Sequence, residues 1–437
     1  MNWALIIIVT VLLVLISHRD EPLSEEAQAL LAVKPADVPD RENIFVAMAG
    51  FDAPEGQDMF EAGRSDIDNV KVGENQETAR TRKRLEGRKT LQWRETEPPF
   101  DCEFGGKADY LSCLRGQKDR LEKTLAANAT LIQRYRMMQG LPRYAVQWSL
   151  DAQFSLDGYR QLMQAQKALM AQAMLDMATG NEKAGLIFFE KDMAFWRLWL
   201  ENKGRLFDSM VALGGLAWRD ARGLSFLLSS PVIRLEGQEK QWREWLTPLT
   251  HEQYSFRPAL EGEFRVTISG LPKEARAVFF NLNTPLFLPN ATANRYFLLL
   301  NPWFKLADLP WQDYLERRDK ALALSENLSK PGINWVYNPT GKIILFSAGS
   351  PDYDKYIGGH HNGSVYLRLV RLQLELRLAE VPPEKIPDFI RQQGEACCAP
   401  SSDFSWDAKT HTLSFEPYGD KHSIPHSVKI LEASAMR

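Results

Sequence analysis

The chain has 437 residues, enough for a large single body or two to three average domains, with 44% hydrophobic and 25% charged residues. Its 53 Lys and Arg against 56 Asp and Glu leave a formal net charge of −3. There is no cationic field of the kind that gathers nucleic acid, and that partner class is set aside.

Residues 3–16 are apolar at every position except Thr10, and His18, Arg19 and Asp20 end the run. No Lys or Arg precedes it and no small-x-small cleavage site follows closely, so residues 1–18 are expected to stay attached as an N-terminal membrane anchor. That places the chain as a single-pass protein of the inner membrane with its bulk in the periplasm. Cys102 and Cys113 agree with an oxidising compartment, because Gly105 and Gly106 between them let the chain turn back for a disulfide. Cys397 and Cys398 are adjacent, where a mutual bond would be strained.

Residues 19–100 show little apolar periodicity apart from the island 44–51 (IFVAMAGF), and they carry the cations Arg80, Arg82, Lys83, Arg84, Arg88, Lys89 and Arg94. They read as an extended tether with the island docked on the body. A flexible tether of that length reaches about 50 Å from the membrane. From Lys107 onward Leu111, Leu114, Leu121, Leu125, Ile132, Tyr135 and Met138 recur at helical steps, and Gly140 and Pro142 end the pattern.

Further helices are predicted over 156–177, with the Met stripe Met163, Met170, Met174 and Met177 read as core, over 181–202, and over 205–228. Short links between them imply an antiparallel helical stack. Residues 238–249 place Trp242 and Trp245 one turn apart, and 264–280 reads as short strands or helix segments. Asn followed by Pro predicts helices opening at Asn301 and Asn338. Residues 366–380 alternate apolar and polar like a strand, yet Leu, Arg, Gln and Glu are helix formers, and Arg371 and Glu375 stand one turn apart. The prediction is a helix ending before Pro382. Phe404, Trp406, Leu413 and Phe415 alternate around a polar turn as a hairpin, with 428–431 as a third strand. The fold class is therefore mainly α, a helical stack closed by a small C-terminal β-hairpin, with residues 101–437 as the extracytoplasmic domain.

The segments 259–265 (ALEGEFR), 287–297 (FLPNATANRYF), 338–345 (NPTGKIIL) and 367–377 (LRLVRLQLELR) are similar to those of a group of uncharacterised bacterial proteins. In that group an N-terminal anchor precedes a periplasmic helical domain. The resemblance implies location and architecture and carries no catalytic residue.

Chemistry-bearing motifs are sparse. G-x-S-x-G, G-x-x-x-x-G-K-S/T and G-x-G-x-x-G are all missing. His360, His361, His411, His422 and His426 gather loosely with Cys397 and Cys398, but Pro425 interrupts the one helical His spacing, so neither a metal nor a cofactor is expected. Glu263, Asn290, Thr292 and Asn294 form the densest polar set of the second half, with helix capping as their expected work. The functional expectation is a binding or scaffolding role among envelope proteins. The alternative is a periplasmic hydrolase acting on an envelope polymer, whose two carboxylates need converge only in space.

Overall fold

The computed structural model describes residues 19–72, 90–102, 110–146, 156–278, 287–329, 337–347, 352–397, 404–419 and 426–431. The apolar run 3–16, most of the cationic cluster, the Gly105-Gly106 turn, His422 and Cys398 lie outside them, as does the Cys397 side chain. The protein is mainly helical with a small three-stranded antiparallel sheet at its C-terminus.

Residues 19–72 are not extended. They form α1 (Glu25–Ala32), α2 (Ile44–Ala49) and α3 (Met59–Val72). Every residue of α2 is buried, so the apolar island is a core helix. Asn43 fixes its entry: the side chain accepts from Phe45 N and Ala145 N at 3.0 Å each and donates to Ala145 O. This folded arm replaces the flexible reach expected for the region.

The stripe from Leu111 to Met138 is buried as expected but divides into α4 (Tyr110–Gly116), α5 (Lys118–Ala127) and α6 (Ala129–Met138). Asn128 breaks it because its amide donates to Thr124 O and closes both ways on the backbone of Arg94. The disulfide Cys102–Cys113 joins this start to the preceding chain, with a Cα–Cα distance of 5.9 Å.

Next come α7 (Leu156–Ala178), α8 (Glu182–Glu201) and α9 (Leu206–Gly215), then a π-helical turn at Leu216–Ala221 and α10 (Arg222–Leu228). Met170, Met174 and Met177 are buried in the core, as their stripe predicts. After α11 (Glu239–Trp245) and α12 (His251–Tyr254), residues 264–278 form the latter part of α13 (Arg257–Val278), the helical one of the two expectations for this stretch.

α14 (Pro289–Leu306) starts at Pro289 and runs through Asn301, so no helix opens there. Pro302 costs the helix about 3 kcal/mol. Burial of Leu300, Trp303 and Phe304 on either side of it outweighs that cost. α15 (Trp311–Ser329) and α16 (Pro339–Ser347) follow, and α16 does open after Asn338.

The Leu-rich segment belongs to α17 (Tyr353–Leu378), which extends well before residue 366. Its first turns, with Tyr353 and Ile357, enter one apolar core with α1, α13, α14 and α15. Its second half, from Val365 to Leu376, enters the larger core with α2 and α4 to α11. One helix thus carries both cores, which is why it is buried nearly all round and its polar positions do not mark a wet face. α18 (Ile386–Cys397) precedes β1 (Phe404–Asp407), β2 (Thr412–Phe415) and β3 (Ser427–Lys429). Phe404 faces Phe415, Trp406 faces Leu413 and Leu413 faces Val428 in an antiparallel order β1-β2-β3.

Candidate functional site: a clasp at the chain entry and two buried polar networks

The predicted polar set separates into two places. Asn290, Thr292 and Asn294 lie at the start of α14, whereas Glu263 lies on α13 and faces a different cluster.

The N-terminus of α14 is closed from far along the chain. Leu288 precedes it with no side-chain cap, and Pro289 fills the first turn. Asp20 supplies the missing acceptor: its Oδ2 accepts from Asn290 N at 2.9 Å and its Oδ1 from Ala291 N at 3.0 Å. Asn290 Nδ2 donates to Glu21 O, Asn294 Nδ2 donates to Glu21 Oε1 and Pro22 O, and Asn294 Oδ1 accepts from Ser24 N. Asn290 and Asn294, one turn apart, therefore grip residues 20–24. Local capping was expected of them. They receive a cap and bind the segment 20–24 instead.

Thr292 works on the inner side. Its hydroxyl donates to Leu288 O and accepts from Asn338 Nδ2 at 2.9 Å. Asn338 Oδ1 accepts from Leu288 N and Gly341 N, and so opens α16 while tying it to α14. A Cβ on Gly341 would stand 2.0 Å from Thr292 Oγ1, so only glycine fits the crossing. Tyr337 completes the clasp by donating to Arg19 O.

Asp208, on α9, anchors the network near Glu263. Its carboxylate accepts from Tyr144 and Tyr159 and forms a two-point ion pair with Arg205 at 2.7 Å. Arg205 also lies over the Phe45 ring. Burial raises Glu263 above the usual carboxylate range; Arg205 opposes that shift and Asp208 adds to it. Close by, a cleft of ≈230 Å³ is bordered by Tyr144, Lys203, Glu261 and Arg265. Burial pushes Lys203 down to about 7, with Asp308 partly offsetting it.

A second network went unread in the sequence. Asp192 on α8 and Asp220 in the π-helical turn are both fully buried. Asp192 Oδ1 accepts from Tyr135 and Gln139 at 2.6 Å each, and its Oδ2 from Gln166 and Trp196. Gln166 also donates to Asp220 Oδ1 at 3.1 Å. Burial and the neighbouring Asp192 push Asp220 well above the usual carboxylate range, which favours its protonated form. Asp220 lies within the π-helical turn. A carboxylate inside an apolar helical stretch was the available signal.

The described histidines lie in different surroundings. His360 is buried beside Tyr254 and Phe256 with both ring nitrogens unpartnered, and burial with Lys203 nearby pushes it well below its usual value. His361 stacks on Trp311 at 3.8 Å. His411 sits in the hairpin turn with φ 53°. Among the described residues no group of three His, Cys, Asp or Glu side chains could hold a metal ion. Among the same residues no helix is long and apolar enough to cross a membrane. In comparison with known proteins, the chain matches no family model, no curated protein and no solved structure.

Proposed function

We propose that this is a single-pass bacterial inner-membrane protein whose helical body stands in the periplasm and acts by binding or scaffolding other envelope proteins. The observation that carries the reading is the clasp: the residues directly after the apolar run 3–16 are bound to α14, so an inserted anchor emerges from a defined point of the body. The Cys102–Cys113 disulfide supports an oxidising compartment. The likeness of four segments to anchored periplasmic helical proteins points the same way, and two of those segments, 287–297 and 338–345, meet in the clasp.

Binding is favoured over hydrolysis by where the acids sit. A polymer-cleaving pair must face a cleft. Asp192 and Asp220 are sealed in the core by Tyr135, Gln139, Gln166 and Trp196, and the cleft at Lys203 is bordered by a single carboxylate, Glu261, among the described residues.

Alkaline phosphatase fused after Arg437 tests the topology. Activity in the membrane fraction is expected; an inactive reporter or a soluble product refutes it. For the binding role, Glu261→Gln and Glu263→Gln are expected to leave any deletion phenotype complemented at normal abundance. Loss of complementation by either stable variant would turn the reading to catalysis.

A further inference from the structure

His360 is 1% exposed, and neither of its ring nitrogens has a hydrogen-bond partner. A neutral imidazole carries one N–H and one lone pair, so both are buried unmatched and at a cost. A group kept on those terms calls for an explanation.

Its place in the fold supplies one. The ring lies 6.1 Å from that of Tyr254, which packs on the larger core, and 5.5 Å from that of Phe256, which belongs to the smaller. Along α17, Ile357 just before it enters the smaller core and Val365 just after it enters the larger. His360 therefore stands at the seam between the two. Beside it is a cavity of ≈10 Å³ bordered by Tyr254, Phe256, Leu306, Ala307, Tyr314 and Ile357. That is room for about one water. An imidazolium has two N–H donors and a charge to hydrate, and the closed seam has no means to satisfy them.

The charges around the ring act in the same direction. Lys203 and His361 both oppose a proton on His360, and no carboxylate of the described residues offsets them. Asp308 acts on Lys203 instead, and Asp354 accepts from Tyr314 and Tyr418. Arg368 lies near Tyr254 and His361. His361, stacked on Trp311, is itself brought down to about 3 by burial and by Arg368.

We propose that His360 is an acid trigger at this seam: when it takes up a proton the seam opens, and the smaller core, which includes α14 and its clasp, loosens from the larger. The sign follows from where the proton binds. In the closed state His360 stays neutral well below its ordinary 6.5, whereas in an opened seam it titrates near that value. Opening is thus indifferent to His360 above pH 6.5 and grows by up to about tenfold per pH unit below it. Lys203, which burial brings down to about 7, is charged over most of that window and adds little slope of its own.

Amide hydrogen exchange of the full chain, expressed as protection so that the intrinsic pH dependence cancels, tests this from about pH 7.5 to 4.5. Protection in 257–264, 300–306 and 353–363 is expected to fall about a hundredfold between pH 6.5 and 4.5, while 189–200 of α8 stays level. His360→Gln and His360→Leu, one polar and one apolar so that a folding failure of either leaves the other, should each flatten most of that fall. His361→Gln should keep most of it. An equal fall in 189–200 would show general acid unfolding and refute a trigger at the seam. No fall in the parent chain, a full slope in either variant at position 360, or a slope lost only in His361→Gln each overturns the assignment to His360.

Discussion

At residue scale the buried acids have the clearest consequences. Asp220 keeps its proton above the pH at which an unfolded Asp loses it, so the folded state binds more protons from about pH 3.8 upward. That contribution is greatest below this pH and declines as pH rises toward the elevated folded value. Asp220→Asn keeps a polar side chain of the same size beside Asp192 and removes the titrating proton. It is expected to lie within about 1 kcal/mol of the parent and to flatten the fall in stability across that window. Asp192→Ala leaves the Tyr135 and Trp196 donors buried without their acceptor and should cost about 3–5 kcal/mol. Denaturant midpoints at several pH values check both; a steeper pH dependence in Asp220→Asn would overturn the assigned proton.

At the scale of elements, α17 shows why local pattern and final structure part company. Its alternating Leu residues suggest a strand, yet a helix buried nearly all round has no single polar stripe to reveal. Helix-forming composition is the better guide there. Its early turns hold adjacent glycines with opposite roles. A Cβ on Gly358 would stand 2.1 Å from the Tyr418 ring, whereas one on Gly359 meets only Met210 Cε at an ordinary 3.6 Å. Gly359→Ala is expected to raise stability by about 1 kcal/mol through helix propensity. Gly358→Ala should lower it by about 1–3 kcal/mol by forcing Tyr418 aside. Tyr418 is held by Asp354, Arg318 and Asn362, so it has little freedom to yield. Thermal melts of the two variants decide the matter, and equal effects would refute the packing argument.

For the whole molecule, the clasp changes how the anchored reading works. An extended tether would let the body range about 50 Å from the membrane. Asp20 and Glu21 are bound to α14, so in the proposed topology the anchor would leave the body at a fixed point. Asp20→Ala with Asn294→Ala removes the cap and most of the side-chain bonds that hold residues 20–24. Trypsin cleavage after Arg19 in the folded full chain should then accelerate at least several-fold, while cleavage elsewhere stays unchanged. An unchanged rate at Arg19 would show that the clasp does not hold the segment.

What the sequence determined by itself was whatever local periodicity and composition encode: the helical class, α7 to α10, the C-terminal strands, the Met stripe as core and the Cys102–Cys113 pair. These rest on contacts within a few turns, or on a short loop whose closure is easy. Asn338 was legible as a helix start for the same reason. Only the tertiary structure decided the rest. Asn301 is interior because buried neighbours outweigh the cost of Pro302, and residues 25–72 fold because the apolar island 44–51 becomes a core helix only once the body surrounds it. Asp20 caps a helix 270 residues away, and Asp192 meets Asp220 through a π turn, so neither partner lies in the other's sequence window. Burial energies depend on what the completed fold places around a side chain, and that is set by distance in space, which sequence spacing does not measure.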